Sequence, residues 1–282
     1  MCGIGGVLGS RPLAHASTVA QRIGASLAHR GPDGEGFLGI TDSGHGILCR
    51  SPADLDGRCL QGVLVHRRLT IIDLATGDQP MALPGGAAWI VFNGEVYNYR
   101  DLKRELAAAE DLPFQTQSDT EIILRAYRRW GIDGFQRLNG IFAFALYDAA
   151  RRELILARDP VGIKPLYWTA GGGAVSFASE IRALHEAVSV DRSVSPEALA
   201  QYLYYRFVPA PSTLWTAVQK VVPGHALRFD LAGHCLGDHD FAAPAPTPRR
   251  GRVASGELAE RFEHAVRGQL LADVPVGAFL SG

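Results

Sequence analysis

Short runs of Val, Ile, Leu, Phe and Ala, bounded by Gly, Asp and Asn, recur at residues 3–8, 36–40, 62–65, 88–92, 141–147, 153–157 and 174–177. That composition and those boundaries predict β-strands. Helical periodicity lies between them, over 15–28, 101–110, 118–130 and 179–187. The third helix has the plainest boundaries. Ser118-Asp119-Thr120-Glu121 spells a capping box, Ile122, Leu124 and Ala126 follow, and Gly131 stops it. Several strands are apolar almost throughout, as strands covered on both faces are. The pattern predicts an α+β chain whose sheets stack on each other with helices outside. Strand order is not readable from periodicity.

The pattern changes near the end. Residues 241–253 are rich in Pro and Arg with almost no large apolar side chain, which predicts an extended linker. Beyond it, 255–271 reads as a helix with Leu258, Phe262, Ala265, Val266 and Leu270 on one stripe. Residues 274–280 read as a strand entering a glycine turn. One helix and one strand cannot build a core. The organisation predicted is therefore a domain over 2–240, the linker, and the start of a second domain over 254–282.

Composition narrows the function classes. The 29 acidic and 28 basic residues give a net charge of −1, so no electrostatic footprint exists for nucleic acid or an anionic membrane. A hydrophobic content of 47% suffices for a core, and no apolar run reaches the ~20 residues of a membrane helix. Four cysteines do not make a disulfide scaffold. The start lacks a signal peptide's charged n-region. These bounds predict a soluble cytoplasmic protein.

Several residues carry chemistry. Aminopeptidases remove Met1 before a small residue, which would leave Cys2 with both a thiol and a free α-amino group. Such an amine, with a pKa of about 7.7–8.0, can act as the thiol's base. Taken alone, a second-position cysteine reads as an accident of sequence before it reads as a nucleophile. Arg68 can be a carboxylate-binding fork or an ordinary surface arginine after a strand. Asp119 can hold a cation or simply cap a helix, where the dipole keeps it ionised. Asn93-Gly94 ends an apolar run and reads as a turn that aims an amide, or as a hairpin turn and nothing more. Cys49, Cys59, His45 and His66 fit no zinc spacing, so no metal site is expected. His234, Cys235 and His239 read as a solvated loop, and Gly171-Gly172-Gly173 as a hairpin turn.

Taken in order, the motifs say more. Met1-Cys2-Gly3-Ile4 is followed by His29-Arg30-Gly31-Pro32-Asp33-Gly34-Glu35-Gly36 and by His66-Arg67-Arg68-Leu69-Thr70-Ile71-Ile72-Asp73. Then come Phe92-Asn93-Gly94-Glu95-Val96-Tyr97-Asn98-Tyr99, Ser118-Asp119-Thr120-Glu121, Gly140-Ile141-Phe142-Ala143-Phe144-Ala145 and Arg158-Asp159-Pro160-Val161-Gly162-Ile163-Lys164-Pro165-Leu166-Tyr167. The series resembles the glutaminase domain of glutamine-hydrolysing asparagine synthetases, class II glutamine amidotransferases, over about residues 2–230. The resemblance implies an αββα sandwich of the N-terminal nucleophile hydrolase type. It implies Cys2 as nucleophile, with the Asn93 side chain and Gly94 N–H as oxyanion hole. Arg68 would hold the α-carboxylate of L-glutamine, Asp119 and Glu95 its ammonium side, and the backbones of Leu69 and Ile71 the pocket wall.

The tail resembles the start of that family's ATP-pyrophosphatase-like α/β domain, with Leu280, Ser281 and Gly282 opening its ATP loop. In complete members, ATP, Mg2+ and aspartate are used there and ammonia passes to the activated aspartate. The glutaminase needs no cofactor, and a homodimer is compatible with the resemblance. Two other readings stay open: an amidotransferase that serves a different acid acceptor, and a non-catalytic remnant module. The tail itself, with nothing to bury it, is expected to be poorly ordered, to bind no ATP and to stand apart from the glutamine site.

Overall fold

The computed structural model describes residues 1–109, 112–242 and 255–277. In chain order, the described residues form β1 (Gly3–Gly9), α1 (Ala16–Leu27), β2 (Gly34–Thr41), β3 (Gly46–Cys49), β4 (Leu60–Arg68), β5 (Met81–Ala82) and β6 (Ala88–Val96). Next come α2 (Tyr99–Ala109), α3 (Asp119–Trp130), β7 (Gly140–Asp148), β8 (Glu153–Arg158), β9 (Tyr167–Gly171), β10 (Ala174–Ala178), α4 (Ile181–Ala187) and α5 (Pro196–Tyr205). β11 (Gln219–Lys220), β12 (His225–Phe229), β13 (Cys235–Asp240) and α6 (Ser255–Gly268) complete the order.

Two antiparallel sheets result. One runs β11-β9-β10-β1-β4-β2-β3 and the other β13-β12-β8-β7-β6-β5. Their packing follows from period-two alternation within strands that are buried on both faces. In β7, Phe142, Phe144 and Leu146 point into the core beneath α2 and α3. Ala143, Ala145 and Tyr147 point the other way, into the core between the sheets with Ile4, Leu8, Leu64 and Phe177. A third core joins Val7, Val63 and Val65 to Ala20, Ile23 and Leu27 of α1 and Leu184 of α4. The layering is helix, sheet, sheet, helix, as the apolar runs predict. α1 lies close on β1 because that strand is glycine-rich: a Cβ at Gly5 would stand 2.6 Å from Ile23 Cγ2. That close approach seats the N-terminus beside the end of β4.

The seven strands and the first four helices read from the pattern all form, each within a few residues. The short edge strands β3, β5, β11 and β13, the interior strands β9 and β12, and α5 do not stand out in the sequence. Four expectations need correction. Residues 235–240 are not a loop but strand β13, paired to β12; its polar alternation is that of an exposed edge. Phe241 belongs to the core and not to the linker, being 1% exposed against Phe135 and Phe142. The capping box is only half formed. The Ser118 side chain accepts from the Thr120 N–H at 3.2 Å. Glu121 does not reach back, because its carboxylate is taken by the Gln115 and Thr116 N–H groups and by buried Arg125. Finally, residues 274–277 are irregular and pair with no strand among the described residues.

α6 forms where the stripe predicts, and none of its residues is buried; Phe262 is 71% exposed. The linker residues 243–253, the chain's Glu110, and the ATP-loop residues Leu280, Ser281 and Gly282 lie outside the described residues. Gly172 and Gly173 do form the β9–β10 turn, both at positive φ. No helix among the described residues is long and apolar enough to cross a membrane.

Candidate active site

Five chain segments end at one cavity: the residue before β1, the end of β4, the end of β6, the start of α3, and the loop after β8. Cys2, Arg68, Leu69, Ile71, Asn93, Gly94, Glu95 and Asp119 all line it. Every described residue singled out in the sequence for this site is therefore brought together. Lys164 joins them. It was legible only as a member of the Arg158–Tyr167 motif and carried no assigned role.

Cys2 is held from both sides. Its thiol donates to the Leu69 carbonyl at 3.6 Å and accepts the Leu69 N–H at 3.4 Å. Its carbonyl accepts from Arg30 Nε at 3.0 Å, and Arg30 is fixed by Glu180 at 2.9 Å. Gly31 allows this because a Cβ there would run into the backbone of Arg67 and Arg68. Burial pushes the thiol pKa up, against the Leu69 N–H and the charge of Arg68. Burial likewise lowers the pKa of the Met1 amino group. With Met1 attached, the Cys2 nitrogen is a peptide amide and has no basicity.

Asn93, Gly94 and Glu95 correct the sequence reading. They form no turn: β6 continues through them to Val96, paired residue for residue with β7 from Ala143 to Gly140. The glycine is required by close approach of that neighbour, because a Cβ at Gly94 would stand 2.6 Å from Phe142 Cα. Asn93 is 1% exposed, and its Nδ2 finds no hydrogen-bond partner among the described residues. A buried amide donor without an acceptor is costly, and Asn93 is also a lining residue of the cavity, so this donor is free to meet an acceptor there. Burial raises the Glu95 pKa, and the nearby Lys164 charge opposes the rise.

The charged anchors sit across the cavity. Arg68 is buried, with Nη1 donating to Asp78 at 2.6 Å and Nη2 donating to the Asp73 carbonyl. Its fork is thus partly engaged, and a substrate carboxylate would compete with Asp78, whose side chain is 85% exposed. Asp119 accepts the Val96 N–H at 2.9 Å. The sequence reading had the helix dipole keeping Asp119 ionised. Instead burial dominates, with the Glu95 charge adding to it, and the pKa rises to about 7 despite hydrogen bonds from Val96, Thr120 and Ser118. A carboxylate so placed gains most from a cation.

Lys164 is delivered by a loop wound around Asp159. That carboxylate is fully buried and accepts the N–H groups of Phe142, Val161, Ile163 and Lys164 at 3.0–3.2 Å. Arg158 ties the same loop through the carbonyls of Lys164 and Gly162. Burial lowers the Lys164 pKa, with Glu95 and Cys2 pulling the other way. His66, by contrast, is fully enclosed, hydrogen-bonds the Phe92 carbonyl and has its pKa pushed down to about 3. It is a neutral core histidine.

The separation of the tail from this site is not observed. Asp273 donates its N–H to the Ile71 carbonyl at 2.9 Å, and its carboxylate accepts the Asp73 N–H at 2.8 Å.

Comparisons with known proteins agree with the geometry. Residues 1–239 match the model of the glutamine amidotransferase domain family. The chain is 37% identical over 288 residues to "Asparagine synthetase [glutamine-hydrolyzing] 1" of Bacillus subtilis, covering 100% of this chain and 42% of that protein. It is 36% identical to a putative asparagine synthetase [glutamine-hydrolyzing] of Mycobacterium tuberculosis, over 95% of this chain and 41% of that one. The chain thus spans about two fifths of the length of these relatives. Among solved structures, glutamine phosphoribosylpyrophosphate amidotransferase of B. subtilis, complexed with ADP and GMP, superposes with a TM-score of 0.62. That match is 25% identical and covers 86% of this chain and 49% of the other.

Proposed function

The chain belongs to the glutamine amidotransferase domain family, and on that premise we propose that it hydrolyses L-glutamine to glutamate and ammonia, with Cys2 as nucleophile. Once Met1 is removed, the Cys2 amino group takes the thiol proton. The sulfur attacks the side-chain amide carbon, and the carbonyl becomes an oxyanion. Asn93 Nδ2 and the Gly94 N–H donate to it; the carbonyl re-forms as the C–N bond breaks, the amide nitrogen takes the proton held by the Cys2 amine and leaves as ammonia, and water hydrolyses the γ-glutamyl thioester to glutamate and the free thiol. Arg68 holds the α-carboxylate, Asp119 and Glu95 the ammonium, and Leu69 and Ile71 wall the pocket. The fold is that of an N-terminal nucleophile hydrolase. The observation that carries this reading is the unpartnered, buried Asn93 Nδ2 in the same cavity as the Cys2 thiol.

The names of the relatives extend the proposal. The ammonia serves amidation in a longer asparagine synthetase, the name these relatives carry, of which this chain is the glutaminase part; ATP, Mg2+ and aspartate enter there on the sequence resemblance alone. A different acid acceptor is the second reading, because the solved-structure likeness is to an enzyme of another named activity.

The experiment is ammonia release from glutamine, with intact mass measured on the same sample. The mature chain begins at Cys2, Cys2→Ala abolishes release, and Asn93→Ala lowers kcat by about 10²–10³-fold with little change in KM. Full activity with Met1 retained would sink the self-base mechanism. An Asn93→Ala chain with unchanged kcat would remove the oxyanion assignment.

A further inference from the structure

Asp73 closes the motif that begins at His66, yet no role in the reaction falls to it. Its contacts are unusual. The backbone sits at φ 52°, the left-handed region that non-glycine residues enter at a cost. Its carbonyl accepts from Arg68 Nη2. Its carboxylate accepts the Thr76 N–H at 2.9 Å and the Thr76 hydroxyl, and also the Gln117 N–H at 2.9 Å. Gln117 immediately precedes Ser118, the cap of α3, and stands two residues before Asp119. One buried residue therefore joins the end of β4, which carries Arg68, to the start of α3, which carries Asp119.

A second carboxylate holds that joint. Leu271 packs against the core beneath α2 and α3, which seats the segment after α6 on the domain. Two residues on, Asp273 straddles the Ile71–Asp73 turn. Its N–H donates to the Ile71 carbonyl at 2.9 Å, and its carboxylate accepts the Asp73 N–H at 2.8 Å. The Asp73 N–H, at a strained residue, is thus answered by a residue 200 positions away. We propose that Asp73 is a positioning residue that sets the spacing between Arg68 and Asp119, and that Asp273 clamps it. The segment after α6 then tunes glutamine affinity without touching the substrate. The inference rests on the glutaminase reading for what the pocket binds.

The test uses the whole chain with three substitutions. Asp273→Ala removes the acceptor and raises the KM for glutamine about three- to tenfold, the worth of one charge-assisted hydrogen bond at a partly exposed site, while kcat stays within about twofold. Asp273→Asn keeps an amide oxygen at the same place and restores KM. Asp73→Asn, which turns one of two accepting oxygens into a donor, raises KM further. Calorimetry of glutamine binding on a Cys2→Ala background gives the same ratios when no turnover occurs. Hydrogen exchange at the Asp73 amide reads the clamp itself, and it quickens in Asp273→Ala. Unchanged affinity with unchanged exchange in Asp273→Ala would overturn the proposal, as would a loss confined to kcat. A wild-type chain that binds no glutamine but loses Asp73 protection on Asp273→Ala would instead refute the glutaminase reading and leave the clamp standing.

Discussion

Asp119, which lines the cavity, and Asp159, which anchors the loop that brings Lys164 to it, are both buried aspartates, and they are held differently. Asp159 accepts four backbone N–H groups and winds the 159–164 loop around itself. Asp119 accepts from the Val96 and Thr120 N–H groups and the Ser118 hydroxyl, feels the Glu95 charge and has its pKa raised to about 7. A carboxylate wrapped by backbone donors builds structure, whereas a buried one near a like charge stores an affinity for a cation. Burial alone does not separate the two; what each faces does, backbone N–H groups around Asp159 and the Glu95 charge near Asp119. Lys164 shows how the two regions cooperate, since the loop that Asp159 organises delivers it to the cavity lined by Asp119.

The largest effect that would break this contrast is on stability. Asp159→Ala strands the buried N–H groups of Phe142 and Lys164 and frees the part-buried ones of Val161 and Ile163, and it lowers the unfolding free energy by roughly 3–5 kcal/mol, read as a lower urea midpoint. A loss under about 1 kcal/mol would mean that the loop re-forms its bonds elsewhere. Asp119→Asn at pH 8 should leave the midpoint unlowered, because it removes a charge the fold disfavours, while weakening glutamine binding by about a hundredfold through loss of the cation's partner. Equal damage to stability and binding would show Asp119 to be scaffold after all. Arg68→Lys follows, with KM raised about ten- to a hundredfold and a smaller change in kcat, because an ammonium does not reproduce the planar fork.

The smallest effect is on pH. A carboxylate raised from 3.8 to about 7 is protonated below that value, so binding an ammonium there must expel a proton. Affinity for glutamine in the Cys2→Ala chain should fall by up to about tenfold per unit as pH drops below 7. Above 7 this group contributes no slope, and Asp119→Asn abolishes it. Folding has the matching sign. The folded chain keeps this proton between about pH 4 and 7 while the unfolded one loses it, so the Asp119 contribution to stability declines as pH rises through that window.

How far residues reveal a structure depends on what their pattern reports. Two-face burial was legible in β7 because every position from Phe142 to Tyr147 is apolar, and the structure sends alternate residues into two cores. Edge strands such as β13 bury little and leave no such trace. α3 and α6 carry the same kind of stripe, yet one is buried and the other wholly exposed. Periodicity specifies a face, and only a partner specifies its burial. Asn93-Gly94 misled as a turn because the local signal for a turn and the need for a glycine beneath a crossing backbone are identical in sequence.

The residue types of the site belong to the sequence by itself. The ordered motifs from Cys2 through Asp119 name a thiol, a carboxamide, a guanidinium and two carboxylates, and the structure sets all of them around one cavity. Side-chain chemistry is local and travels with the letter. Protonation and spacing are not local. The pKa of Asp119 near 7, the isolation of Asn93 Nδ2, the arrival of Lys164 and the grip of Asp273 on the Ile71–Asp73 turn all depend on groups far away in the chain. Desolvation and hydrogen bonding are set by whatever lies within a few ångströms in space, and only the folded chain determines that.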